Sequence, residues 1–303
     1  MKIIVPMAGM GKRMRPHTLT VPKPLIPVAG KPIVQKIIED LKDVCGEGIE
    51  EVAYIIHPSF GKAAEERLID VAAKLGAKGS IHYQTEALGT AHAIMCAKEA
   101  LDGNVLIVFA DTLFKAGFKL DRSKDGIIWV QQIEDPSQFG VVKLDASGVI
   151  TDFIEKPTTF VSNLAIIGIY YFADGANLRN ELQYLLDNNV KEKGEYQLTN
   201  ALENMKAKGL KFETGKVEEW LDCGNKNSTV YTNSRVLQHM HDDGFKMVDE
   251  SANIFNSQII QPSLIGKNVV IKNAVINNAM LGSHVEYQGE QKDLSIGDYT
   301  TVI

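Results

Sequence analysis

Residues 2–7 read Lys-Ile-Ile-Val-Pro-Met and, after Ala8, run into residues 9–24, Gly-Met-Gly-Lys-Arg-Met-Arg-Pro-His-Thr-Leu-Thr-Val-Pro-Lys-Pro. A short apolar run that empties into a glycine turn is a strand whose end presents backbone N–H groups with no side chains in the way, and such loops hold phosphates closely. Arg13, Arg15 and Lys23 add positive charge. Two familiar phosphate motifs fail. A P-loop needs glycine five residues before its Gly-Lys pair and Ser or Thr after it, whereas Pro6 precedes Gly11-Lys12 and Arg13 follows. A dinucleotide fingerprint needs a small residue where Met14 stands. The string that remains is Gly9-x-Gly11-x-Arg13-x-x-Pro16-x-Thr18-x4-Lys23-Pro24-Leu25-x-Pro27-Val28.

Outward from this segment, Val- and Ile-rich runs at 2–7, 51–57, 80–84 and 105–110 alternate with helical spacing at 33–44, 62–75 and 90–101. That alternation predicts an α/β fold with a doubly wound, mostly parallel sheet. Ligands in such sheets bind beyond the carboxyl ends of the strands, so the glycine loop, Gln84 and Asp111 are expected at one crevice. Runs at 126–133, 141–144, 149–154 and 165–172 predict antiparallel additions forming its far wall. Helices at 177–186 and 197–206, a strand at 210–217 leading to Trp220-Leu221-Asp222, and a helix at 225–241 would complete a domain over 1–240.

From about residue 251 the texture changes. Ile254, Ile260, Ile265, Ile271, Ile276 and Leu281 recur at five- or six-residue intervals, with Gly266, Gly282 and Gly297 each following an aliphatic residue. This predicts a short left-handed β-helix of hexapeptide repeats over 251–303, with fewer than three coils and with 287–293 thrown out as a loop. The edge of its last coil is expected to need a cap or a partner, which favours a homo-oligomer.

A chain of 303 residues, 45% hydrophobic and 23% charged, has the composition of an ordinary soluble protein. The net charge of -6 argues against nucleic acid or an anionic membrane as a general partner. Cys45, Cys96 and Cys223 are far apart and form no CxxC pair, and no run reaches the roughly 20 apolar residues of a membrane span. A cytoplasmic location is expected.

Asp111 and Asp222 each end a predicted strand, and two such carboxylates suit Mg²⁺, which takes one or two of them plus substrate phosphates. A surface loop for Asp111 and a helix N-cap for Asp222 are the bland alternatives. Gln84 offers donor and acceptor to a nucleobase edge, while Gly89-Thr90 opens a helix that Thr90 is equally able to cap and on which His92 sits near the core. In Glu155-Lys156-Pro157 the carboxylate suits sugar hydroxyls and the ammonium a phosphate; an exposed ion pair before a turn is the alternative.

Taken in this order, the N-terminal string and these segments resemble the sugar-phosphate nucleotidyltransferases, or nucleotide-sugar pyrophosphorylases, over roughly residues 1–240. The resemblance implies a Rossmann-like nucleotidyltransferase fold and the reaction of an NTP with a sugar 1-phosphate to give an NDP-sugar and pyrophosphate. It places Gly9, Gly11 and Arg13 on the triphosphate, Lys23 on phosphate, and Gln84 and Gly89 on a pyrimidine base. Asp111 and Asp222 become Mg²⁺ ligands, and Gly140, Glu155, Lys156 and Asn163 sugar-phosphate contacts. Met10 and Lys12 depart from the family's usual Gly and Thr or Ser, and Arg15 is an extra cation. UTP or dTTP with glucose 1-phosphate is the expected pair, and GTP with mannose 1-phosphate an alternative. Two further readings are a bifunctional enzyme whose tail is an acyltransferase, for which the tail is short, and a non-catalytic subunit, against which the retained charges argue.

Overall fold

The computed structural model describes every residue except Pro16, Thr20 and Glu47, together with all side chains but those of Gln291 and Lys292. Pro16 of the N-terminal string therefore lies outside the described residues. Strand β1 (Lys2–Pro6) ends in the glycine loop, and a hairpin of β2 (Pro27–Val28) and β3 (Lys31–Pro32) leads into α1 (Ile33–Cys45). Then come β4 (Glu51–Ile56), α2 (Lys62–Lys74), β5 (Lys78–Tyr83), α3 (Thr90–Met95) and β6 (Val105–Val108). The four longer strands pair in parallel in the order β6-β1-β4-β5. Side chains alternate across a strand, so Ile3 and Val5 enter one apolar layer and Ile4 the other. On α1 the buried Ile33, Ile37, Ile38, Leu41 and Val44 form one stripe at helical spacing.

The helix expected at 90–101 is shorter. After Met95 the hydrogen bonds tighten to three-residue steps, Ala97 N–H to Ile94 O at 3.0 Å and Ala100 N–H to Ala97 O at 2.9 Å, and a 3₁₀ turn follows.

Next along the chain are β7 (Thr112–Lys115), β8 (Gly126–Gln132), β9 (Gly140–Leu144), β10 (Ile150–Glu155) and β11 (Leu164–Phe172). β11 runs antiparallel to β6 and carries β8 and β9, so the nine-stranded sheet is mixed. A register shift between Ile166 and Tyr170, with Gly168 at φ 87°, bends β11. α4 (Gly175–Asp187), α5 (Leu198–Ala207), β12 (Phe212–Lys216), β13 (Glu219–Asp222) and α6 (Lys226–Asp242) follow. β13 pairs with β7 as a separate two-stranded ribbon. Asn225, with Ser228, caps α6, so Asp222 is not its cap.

The tail contains β14 (Asn253–Phe255), β15 (Gln258–Ile260), β16 (Leu264–Ile265), β17 (Val270–Leu281), β18 (Glu286–Ile296) and β19 (Thr301–Val302). All its strand pairings are parallel. Asn253 lies against Val270, a step of 17 residues; Val270 lies against Glu286, a step of 16; Glu286 lies against Thr301, a step of 15. Because these steps are shorter than three full hexapeptides, three passes fit rather than fewer. Asn256, Asn273, Asn278 and Asp293 sit at positive φ, where asparagine and aspartate are tolerated, and interrupt the passes. A Cβ on Gly266 would stand 2.8 Å from the Gly282 carbonyl carbon, and one on Gly282 2.7 Å from Asp298 N, so stacking explains the pairs at Gly266 and Gly282, while at Gly297 a Cβ would meet nothing. The loop expected at 287–293 is instead part of β18, with Tyr287 buried in the tail's own core.

Candidate active site

The carboxyl edge of the parallel strands opens into a cleft. Met7 to Gly9 after β1, Gln84 after β5 and Phe109 to Asp111 after β6 line a chamber of about 260 Å³. Gly140 of β9, Glu155 of β10, the bent segment Ile166 to Gly168 and Asp222 of β13 line a second of about 400 Å³. Thr90, Phe109, Asp111 and Glu195 border both, so the two are ends of one cleft.

At the first end the backbone is tightly folded. Gly11 has φ 57°, and a Cβ there would stand 2.9 Å from Thr18 Cγ2 and 3.0 Å from Lys23 Cβ. Thr18 Oγ1 donates to the Gly11 carbonyl at 2.9 Å, which closes the loop and brings Lys23 against it. Lys23 Nζ then pairs with Asp111 Oδ2 at 2.6 Å. Gly89, at φ 111°, lies so close to the chain opposite that a Cβ would stand 2.4 Å from Tyr196 O. Thr90 is not a cap: its hydroxyl accepts from Leu198 N–H at 2.9 Å and donates to Gln197 Oε1 at 3.3 Å.

At the second end side chains converge. Lys156 takes φ 43°, uncommon for a residue with a side chain. Its turn is held by its own N–H on Phe139 O at 3.1 Å and by Lys193 Nζ, which donates to the carbonyls of Lys156 at 2.6 Å and Glu155 at 3.3 Å. Glu155 Oε1 lies 3.3 Å from Lys156 Nζ, and Oε2 accepts from Thr199 at 3.5 Å. A Cβ on Gly140 would come within 3.2 Å of Glu155 Oε2, so glycine makes room for the carboxylate.

The β7–β13 ribbon joins the two aspartates. Thr112 faces Asp222, and Cys223 N–H donates to Asp111 O at 2.8 Å. Among the described residues no group of three or more His, Cys, Asp or Glu is placed to hold a metal ion. Two carboxylates beside a phosphate-sized cleft nonetheless fit Mg²⁺, which draws its remaining ligands from phosphates and water. Burial and the neighbouring carboxylates of Asp222 and Asp111 push the Cys223 thiol up to about 12, which leaves no thiolate nucleophile at neutral pH.

Of the residues singled out in the sequence, Gly9, Arg13, Lys23, Gln84, Gly89, Asp111, Gly140, Glu155, Lys156 and Asp222 line the cleft. Gly11 shapes the loop behind it. Asn163 precedes β11, where its carbonyl accepts from Ile133 N–H at 3.0 Å, and is not among the lining residues; nor is the exposed Arg15. Sequence reasoning missed Glu195, Gln197 and Thr199, which enter from the start of α5. No local sequence pattern marked them; the structure buries Gln197 to 4% and Thr199 to 5% exposure where the helix begins.

The family model for nucleotidyl transferases matches residues 2–239. The chain belongs to the nucleotidyl transferase family. This nucleotidyl transferase is 32% identical over 247 residues to a low-salt glycan biosynthesis nucleotidyltransferase of Haloferax volcanii, a match covering 78% of this chain and 66% of the relative. It is 29% identical over 287 residues to a glucose-1-phosphate thymidylyltransferase of Streptomyces antibioticus, covering 88% and 78%. Its fold is that of a UDP-glucose pyrophosphorylase solved with UDP-glucose, with a TM-score of 0.65 at 22% identity over 78% of this chain and 98% of that one.

Proposed function

We propose that this nucleotidyl transferase moves the nucleotidyl group of UTP or dTTP onto a sugar 1-phosphate, with glucose 1-phosphate the first choice, and releases pyrophosphate. The observation that carries this reading is the single cleft with an amide and glycine backbone at one end, a carboxylate and a lysine at the other, and Asp111 with Lys23 between them. Family membership and the thymidylyltransferase relative support it.

In this reading Gln84 and Gly89 take the base, while Gly9, Arg13 and the loop closed by Gly11 take the triphosphate. Glu155 and Gly140 take the sugar hydroxyls and Lys156 the sugar phosphate; Asn163 would approach only from the rim. Mg²⁺, held by Asp111 and Asp222, would draw charge from the α-phosphate and the leaving group. An oxygen of the sugar phosphate attacks the α-phosphorus, the bond from that phosphorus to the α,β-bridging oxygen breaks, and its electron pair leaves with pyrophosphate. The attacking phosphate has a second pKa of about 6, so it is ionised at neutral pH and needs no general base. Lys156 and Lys23 offset the repulsion between two phosphates and hold them in line.

Pyrophosphate release should be measured with UTP, dTTP and GTP against glucose 1-phosphate and mannose 1-phosphate, with and without Mg²⁺. The fastest release is expected with UTP or dTTP and glucose 1-phosphate; no release from any pair overturns the reading. We further propose that residues 251–303 form a left-handed β-helix separate from a catalytic domain over 1–240, and that the protein is a cytoplasmic homo-oligomer. The open edges β14 and β19 of the tail's sheet support the oligomer, because unpaired edges accept a second strand. Light scattering on the purified chain tests it.

A further inference from the structure

Gln84 is only 8% exposed and lines the first chamber. Its side chain carries two N–H donors on one atom and an acceptor on the other, so the end that faces the chamber decides which bases fit. The Gly89 carbonyl lies 3.2 Å from Gln84 Nε2. A carbonyl only accepts, so the nitrogen must be the atom beside it. The same nitrogen lies 3.1 Å from His92 Nδ1. Its second N–H is therefore spent on the imidazole, provided Nδ1 carries a lone pair. Burial lowers the His92 pKa, with Glu86 opposing, which disfavours the doubly protonated ring, and a Gln84 nitrogen fixed as donor by the Gly89 carbonyl selects the tautomer with its lone pair on Nδ1. Among the described residues no donor reaches Gln84 Oε1, and this acceptor is what the side chain has left for a ligand.

The two anchors differ in rigidity. The Gly89 carbonyl also accepts from Ala93 N–H at 3.1 Å, and its neighbours are tied to Tyr196 by Tyr196 N–H on Leu88 O at 2.8 Å and Ala91 N–H on Tyr196 O at 2.9 Å. His92 is the anchor that a side-chain change removes.

We propose that His92 is a positioning residue that sets base specificity: it locks the Gln84 amide with its oxygen toward the nucleobase, so that the site takes a base carrying a ring N–H and rejects one carrying a lone pair there. Uracil and thymine carry that hydrogen at N3, whereas cytosine has a lone pair at N3. The inference rests on Gln84 reading the base. A site built to meet a particular hydrogen-bonding edge strongly penalises the analogue that leaves its polar groups unpaired.

Steady-state kinetics with UTP, dTTP and CTP on the full chain tests this. His92→Phe keeps a ring and removes the acceptor, His92→Leu is the second variant should His92→Phe unfold, and His92→Asn can place an acceptor near the position of Nδ1. His92→Phe should raise KM for the preferred nucleotide about 10-fold and cut its preference over CTP roughly 10- to 100-fold, with kcat nearly unchanged. His92→Asn should restore most of the preference, which a merely structural role for the ring would not predict. Wild-type preference in the folded His92→Phe or His92→Leu protein overturns the lock. Gln84→Ala separates the layers: if it leaves every nucleotide KM unchanged, the base is not read at Gln84 and the underlying assignment fails instead.

Discussion

The two ends of the cleft are made of different material. The first end, proposed above to take the nucleotide, is largely backbone: a loop closed around Gly11, a glycine at 89 pressed against Tyr196, and a strand end at Gly9. The second end, proposed to take the sugar phosphate, is largely side chain, with Glu155, Lys156 and Thr199 converging over Gly140. At Gly11 and Gly89 the backbone walls leave no room for an added Cβ, and they change only when the fold changes. Side-chain walls change one residue at a time. Under the proposed function, such a scaffold would keep one fixed phosphate chemistry and leave the second end open to variation.

The largest effect is expected where the ends meet. Asp111→Asn removes a charge that both ends share, and turnover should fall about 10³-fold. Its ion pair with Lys23 is partly exposed, so melting should shift little. A near-normal rate would remove Asp111 from the metal role and leave the ends joined by shape alone. Next comes Gly89→Ala. The added carbon would lie 2.4 Å from Tyr196 O and 2.7 Å from Tyr196 N, on a backbone at φ 111° that side chains rarely adopt. Stability should drop by about 2–4 kcal/mol and kcat/KM by about 100-fold, read by denaturant titration and kinetics together. An unchanged denaturation midpoint would break the claim that this end is rigid backbone.

The same contrast explains what could be read from sequence. Glycines betray a backbone site, because Gly11 and Gly89 stand where no side chain fits, and the parallel strands β1 and β6 that end at the cleft are almost wholly buried. Gln84, Asp111, Glu155 and Asp222 were legible as polar residues closing predicted strands. The ribbon of β7 and β13 was not, since its strands are four residues each and lie about a hundred residues apart, and no local pattern pairs them. Glu195, Gln197 and Thr199 were hidden by a helix that starts where they stand. In the tail, 287–293 looked like a loop because most of it is polar. Parallel stacking is carried by backbone hydrogen bonds and asks for only a few inward residues per pass, such as Tyr287 and Ile296.

Smaller effects are expected at the sugar-phosphate end. Lys193→Met removes the ammonium that holds the carbonyls of Glu155 and Lys156, and so loosens a turn whose positive φ has an intrinsic cost. KM for the sugar phosphate should rise about 10-fold, with the nucleotide KM unmoved. Equal changes in both would place Lys193 in the scaffold of the whole cleft rather than in one end of it.

The smallest effect should come from Thr199→Val. The bond it removes is long, 3.5 Å to Glu155 Oε2, and the near-identical shape of valine preserves packing at a site only 5% exposed. Glu155 keeps its neighbour Lys156 at 3.3 Å, so its carboxylate loses one weak donor and stays in place. A rise of about threefold in KM for the sugar phosphate is expected, without change in the nucleotide KM or in kcat. Because Thr199 follows Gln197 and Leu198, which bond to Thr90 at the nucleotide end, the substitution also probes whether strain crosses the cleft. A matching rise in nucleotide KM would mean that the start of α5 couples the two ends, and the division between a backbone end and a side-chain end would have to be given up.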